Sequence, residues 1–151
     1  MVTADAFKDA MGRFATGVTV VTVDTPSGPR GLTVNAFMSL SLDPPLVGVA
    51  IAHRARTYDR LRESDAFGIS ILKDDQAPYS NLFAGAPSEV EPNFETVAGV
   101  PVLSGAVAQV ACRIDARHAV GDHDLFVGLV TDLVVYGGTP LLYHRGRYGL
   151  D

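Results

Sequence analysis

Cysteine is nearly absent: Cys112 is the single thiol in 151 residues, so no disulfide can form within the chain and no disulfide framework organises it. Basic charge is also scarce. Lysine and arginine number 12 against 17 acidic residues, the formal net charge is −5, and no block of like charge occurs. Tracking nucleic-acid phosphates needs a basic stripe, so nucleic acid is not an expected partner. No uninterrupted apolar run approaches the roughly 20 residues that cross a bilayer, so no membrane partner is expected. Residues 1–8 lack the basic start and apolar stretch of a secretory leader, and the expected address is the cytoplasm.

Several chemical signatures are missing as well. No G-x-G-x-x-G follows a strand, which argues against a doubly wound nucleotide fold. No G-x-S-x-G elbow is present to raise a nucleophile. Cys112, His118 and His123 are the only local cluster of soft ligands, without C-x-x-C or H-x-x-x-H spacing. Cys112 falls on the inward phase of its strand, where a lone thiol behaves as a small hydrophobe, so no metal site is expected. The paired carboxylates, Asp74-Asp75 and Asp122…Asp124, fall in loops and are expected to solvate turns or cap helices. Hydrolase chemistry has no anchor.

What the chain does have is a core's worth of apolar residues. Hydrophobic residues make up 47% and charged residues 19%, enough for one folded domain over residues 1–151 and too ordered a composition for disorder. The apolar surplus in so short a chain suggests that a partner subunit covers part of it.

Residues 4–15 read as an amphipathic helix, with Phe7, Ala10, Met11 and Phe14 on one face, Thr3 or Asp5 as cap and Gly17 at the end. The period then changes. Residues 18–23 are a β-branched run, a turn follows through Pro26 and Gly28, and residues 32–37 extend again. Strands are expected at 46–52 and 66–72, with short helices at 57–63, capped by Thr57, and at 75–83. Residues 85–101, rich in glycine, proline and acid, read as a mobile loop. Residues 106–118 alternate, with Ala106, Ala108, Val110, Cys112, Ile114 and Ala116 on one face and Gln109, Arg113, Asp115 and Arg117 on a wet one. Residues 125–136 are apolar on both faces and should be covered on both. Residues 140–144 and 147–150 complete the count. Seven or so strands with few helices predict a mainly β, closed or nearly closed antiparallel barrel.

The stretch GLTVNAFMSLSLDPP, residues 31–45, places Thr33, Asn35, Ser39 and Ser41 at nearly every second position before a double proline. Alternation would turn these small polar groups to one side, where they suit a heteroaromatic edge or a phosphate. An ordinary strand with a polar outer face carries the same pattern.

Six blocks in register go further. GRFATGVTVVT (12–22), GLTVNAFMSLSLDPPL (31–46), RTYDRLRESDAFGISIL (56–72), NLFAG (81–85), GDHDLFVGLV (121–130) and PLLYHRGRYG (140–149) resemble the flavin reductase-like family, reductase components of two-component monooxygenases. The resemblance spans Phe7 to Gly149. It implies an FMN-binding split β-barrel with Greek-key-like connections and a few short helices, acting as a homodimer with flavin near the subunit interface. It places Thr33, Val34, Asn35 and Ala36 along the isoalloxazine edge, Ser39, Ser41, Arg56 and Thr57 near the ribityl phosphate, and Phe83 at the pocket's border. His123, Arg147 and Tyr148 match the region that meets the nicotinamide. One departure stands out: relatives often carry serines before Thr57, where this chain reads His53-Arg54-Ala55-Arg56, so arginine charge replaces a hydroxyl contact. Arg54, Arg60 and Arg62 are expected on a solvated helix face, and His118 and His144 at strand ends.

The implied activity is that of an NAD(P)H:flavin oxidoreductase, taking NADH or NADPH as donor and FMN or FAD as acceptor. A separate flavin-dependent monooxygenase would receive the reduced flavin. Such a transfer needs no nucleophile and no strong base, as this sequence has neither; the cofactor carries the chemistry and the protein supplies position and dipoles. The alternative is a non-catalytic carrier or sensor that holds flavin on the same barrel.

Overall fold

A computed structural model describes residues 1–150. Helix α1 (Ala4–Gly12) starts where Thr3 Oγ1 accepts the Ala6 N–H at 3.1 Å, and it stops one turn earlier than the apolar spacing suggests. No residue of α1 is buried, and Phe7, Met11 and Phe14 are 57, 56 and 78% exposed. Its apolar face is therefore left largely uncovered within the chain.

The strands are β1 (Thr16–Gly17), β2 (Thr19–Thr25), β3 (Gly28–Val34), β4 (Phe37–Ser41), β5 (Leu46–Ala52), β6 (Ala66–Ile71), β7 (Phe94–Val97), β8 (Val100–Leu103), β9 (Ala108–Val120), β10 (His123–Val135), β11 (Leu142–His144) and β12 (Arg147–Tyr148). Seven of them form one antiparallel sheet in the order β3-β2-β6-β9-β10-β5-β4. Strands β3 and β4 follow one another in sequence yet lie at opposite edges of that sheet. The two-residue corner Asn35-Ala36 spans between the edges, and the Ala50 N–H donates to the Ala36 carbonyl at 3.0 Å beside it. The sheet thus curls into a split barrel. This corrects the reading of residues 31–45 as one alternating strand: Thr33 belongs to one edge, Ser39 and Ser41 to the other, and a register shift separates the two serines.

The barrel is filled by Val21, Val23, Val34, Val49, Ile51, Phe67, Ile69, Val110, Cys112 and Phe126, with Leu61 of α2 (Tyr58–Glu63) inserted among them. Thr57 sits at the N-cap of α2, but its side chain makes no capping bond, so the expected cap is not formed. Helix α3 (Ala77–Phe83) packs Tyr79 and Phe83 on a second cluster of Val18, Val20, Leu72, Leu103 and Leu141.

Three further expectations are corrected. Residues 85–101 are not one loop, because β7 and β8 pair as a hairpin. That hairpin covers β9, so the alternation begins only beyond Cys112, and Gln109 is fully buried rather than wet. Gln109 Nε2 donates to the Leu103 carbonyl at 2.8 Å and to Glu95 Oε1, which satisfies the amide's donor end, while its Oε1 is buried without a partner. Strand β10 is covered only in its first half: Leu133 and Val135 are 52 and 71% exposed. No helix of the described residues is long and apolar enough to cross a membrane.

Candidate functional site

A groove of about 850 Å³ opens between β3, the end of β5, the loop of residues 54–57 and the C-terminus of α3. Its walls divide by chemistry. Arg30, Arg54 and Arg56 supply guanidinium groups, Leu32, Leu82, Phe83 and Phe94 supply apolar surface, and no carboxylate among the described residues lines it. Phe83 meets Phe94 edge to face at 6.1 Å, so the aromatic wall is braced. Arg54, expected on a solvated helix face, belongs to this lining, because residues 54–57 precede α2 rather than lying within it.

Bonds over long sequence separations hold the groove's elements. Thr33 Oγ1 donates to the Ser80 carbonyl at 2.7 Å, tying β3 to α3. The Tyr148 hydroxyl also meets α3, 2.7 Å from Ser80 Oγ and 2.8 Å from Asn81 Oδ1, so it can accept from the serine while donating to the amide.

Beyond the 54–57 loop lies a network that the sequence reading missed. Asp124, 5% exposed, accepts from the Tyr58 hydroxyl at 2.7 Å through Oδ2 and from His53 Nε2 at 2.8 Å through Oδ1, with Arg117 Nε 3.4 Å away. The Tyr58 and His53 bonds and the charges of His53 and Arg117 hold the Asp124 carboxyl below the ordinary aspartate range despite burial. The same bond, with burial and the Asp124 charge, raises the Tyr58 phenol. Asp122 is likewise held down, chiefly by its bond to His123 Nδ1 at 2.7 Å. The expectation that Asp122 and Asp124 only solvate a turn fits Asp122, which is exposed, and fails for Asp124. The one sequence signal was a charged residue on the same phase as Phe126, at the head of the apolar run 125–130. Cys112 is buried in the core, where desolvation pushes its thiol up to about 12.

The remaining site candidates are spread out. Thr33, Arg56, Thr57 and Phe83 line the groove together. Asn35 and Ala36 line a second, mainly apolar cavity of about 910 Å³ with Met11, Phe14, Phe37 and Tyr143. The Val34 side chain is turned into the core, leaving only its backbone available. Ser39 and Ser41 line neither cavity. His123 sits at the start of β10 opposite Ala52, which does line the groove. Arg147 borders a small cavity of about 240 Å³ with His144 and Arg145, while Tyr148 braces α3.

A family model described as "Flavin reductase like domain" matches residues 11–149. The chain belongs to that family. Among its relatives, an NADH-dependent flavin reductase of a Rhodococcus species is 46% identical over 145 residues, covering 93% of this chain and 82% of the relative. The reductase component of a 4-hydroxyphenylacetate 3-monooxygenase from Thermus thermophilus is 40% identical, covering 95% of this chain and 94% of its own. The solved structure of flavin reductase PheA2 in its native state superposes with a TM-score of 0.95 at 40% identity, covering 98% of this chain and 97% of that one.

For a flavin reductase-like chain the groove's chemistry can be tested against the family's ligand. A flavin mononucleotide presents a dianionic phosphate at one end and a planar apolar ring with polar edges at the other. Three guanidinium groups, with no competing carboxylate among the described residues, suit the first, and the Phe83 wall with the β3 backbone suits the second. The residues fit.

Proposed function

We propose that this protein is an NAD(P)H:flavin oxidoreductase that takes hydride from a reduced nicotinamide, delivers it to FMN or FAD, and supplies reduced flavin to a separate flavin-dependent monooxygenase. The observation that carries the reading is the arginine-rich groove, lined by no carboxylate among the described residues, that runs onto the β3 edge beside the barrel corner. Two relatives support it by name, one an NADH-dependent flavin reductase and the other a monooxygenase's reductase component.

In this reading Arg54, Arg56 and Thr57 hold the phosphate, and Phe83 backs the ring. Backbone from Thr33 to Ala36, with the exposed Asn35 side chain, meets the ring's polar edge. At about 3.3 Å per residue, the stretch from Gly31 to Asn35 spans roughly 13 Å, enough to run from the phosphate end to the corner. Bound flavin supplies the two-electron acceptor. The chain's part is to fix donors where negative charge develops and to leave one ring face open for stacking at about 3 to 3.5 Å. His123, Arg147 and Tyr148 are assigned to the nicotinamide side. The exposed Phe7, Met11 and Phe14 support a homodimer, and a cytoplasmic address goes with the need for reduced nicotinamide.

Purified protein mixed with FMN, FAD or riboflavin should accelerate oxidation of NADH or NADPH well above the flavin-only background. Silence across all six combinations refutes the reading. A protein that retains flavin through dialysis yet ignores both nicotinamides is a carrier instead.

A further inference from the structure

The loop that brings Arg54, Arg56 and Thr57 to the groove is four residues long, and the residues on either side of it are bonded to one carboxylate. His53, just before the loop, gives Nε2 to Asp124 Oδ1 at 2.8 Å, and Tyr58, just after it, gives its hydroxyl to Oδ2 at 2.7 Å. The His53 N–H also donates to the Asp122 carbonyl at 3.0 Å, so the β9–β10 turn grips the loop's first end by backbone as well. Asp124 is not in the groove lining and is almost wholly buried. Arg117, 3.4 Å from Oδ2, balances its charge.

Tyr58 is held a second time: its ring stands edge-on to Phe126 at 6.2 Å and to His53 at 5.2 Å. Arg54 and Arg56 have no bond or ion pair of their own among the described residues. Nothing on the arginines themselves sets where their side chains start. Their backbone placement rests on the two clamped ends together with the turn bonds inside the loop, Ala55 N–H to the Ala52 carbonyl at 3.0 Å and Tyr58 N–H to the Ala55 carbonyl at 3.1 Å.

Resting on the flavin reading above, we propose that Asp124 is a positioning residue that closes both ends of the 54–57 loop and so tunes affinity for the phosphate of the flavin rather than for its ring. A carboxylate serves here because it accepts two hydrogen bonds on separate oxygens while both donors keep fixed geometry.

The test compares FMN with riboflavin, which has the same ring and no phosphate. Dissociation constants are measured by flavin fluorescence for wild type, Asp124→Ala and Tyr58→Phe, with circular dichroism and thermal melts as folding controls. Asp124→Ala should weaken FMN on the order of tenfold, as displacement of a positioned group by a fraction of an ångström does, and leave riboflavin unchanged. Tyr58→Phe keeps the ring against Phe126 and removes one bond, so a smaller shift in FMN alone is expected; it decides the matter if Asp124→Ala does not fold. Parallel weakening of both flavins, or no change for FMN in Tyr58→Phe, overturns the proposal. Wild-type protein that binds neither flavin instead removes the functional reading itself, and the clamp's role with it.

Discussion

Gly31 lies against the ring of Phe83 so closely that a Cβ at position 31 would come within 2.7 Å of both Cδ1 and Cε1 of the phenylalanine. The absent side chain lets α3 lay its aromatic wall on β3. Gly31→Ala should push Phe83 out of place, costing on the order of 1–3 kcal/mol in stability as small-to-large changes at tight contacts do. Flavin affinity should fall with it, including that for riboflavin, because the ring's backing moves. Urea unfolding and a riboflavin titration check the two halves of this outcome.

A control for that variant comes from inside the barrel. A Cβ at Gly128 would stand 2.8 Å from Cys112 Cβ and 2.8 Å from Phe67 Cζ, all within the core and away from the groove. Gly128→Ala should lose about 1–3 kcal/mol as well, yet leave the flavin dissociation constants near wild type. The pair separates loss of stability from loss of site.

Tyr148 offers a gentler change. Its hydroxyl contacts Ser80 Oγ and Asn81 Oδ1, and Ser80 is the same residue whose carbonyl accepts from Thr33. Tyr148→Phe keeps the ring and its edge contact with Tyr143, so the stability loss should be about 0.5–1.5 kcal/mol, that of a hydrogen bond. If Tyr148 only braces α3, the Michaelis constant for NADH will not change; if it touches nicotinamide, that constant rises while FMN affinity holds.

Acid and alkali act on the Tyr58–Asp124 bond from opposite sides. The folded Asp124 carboxyl titrates below its unfolded value, near 3.9 for an aspartate, so its contribution is present above that value and lost as pH falls through the folded one. The Tyr58 phenol is raised, so its contribution is present below about 10 and lost as pH climbs past the folded value. The stability difference between wild type and Asp124→Asn should therefore narrow below about pH 4. A difference that stays constant down to pH 2 would contradict the assignment.

How much of this was legible beforehand depends on how far apart the partners are in sequence. The β-branched run at 18–23, the turn glycines and the double proline act over a few residues, and they marked strands and breaks without reference to the fold. The six blocks between Gly12 and Gly149 carried the family. Gln109 was misread as solvent-facing because the hairpin that covers it is a separate element; period two places residues on opposite faces but cannot say whether the second face is covered. Asn35 was read as mid-strand because nothing local distinguishes a strand from a strand that turns a barrel corner.

By itself, the chain's sequence determined a β-rich barrel, that one cysteine can form no disulfide within the chain, and the residues that resemble a flavin site. Only the tertiary structure decided that β3 and β4 sit at opposite sheet edges, that Arg54 joins Arg56 in one groove, and that Asp124 is buried between His53 and Tyr58. The reason is physical: propensity and periodicity are properties of neighbouring residues. A carboxylate gains partners 71 and 66 residues away only when β5 pairs antiparallel with β10 and sets Ala52 opposite His123.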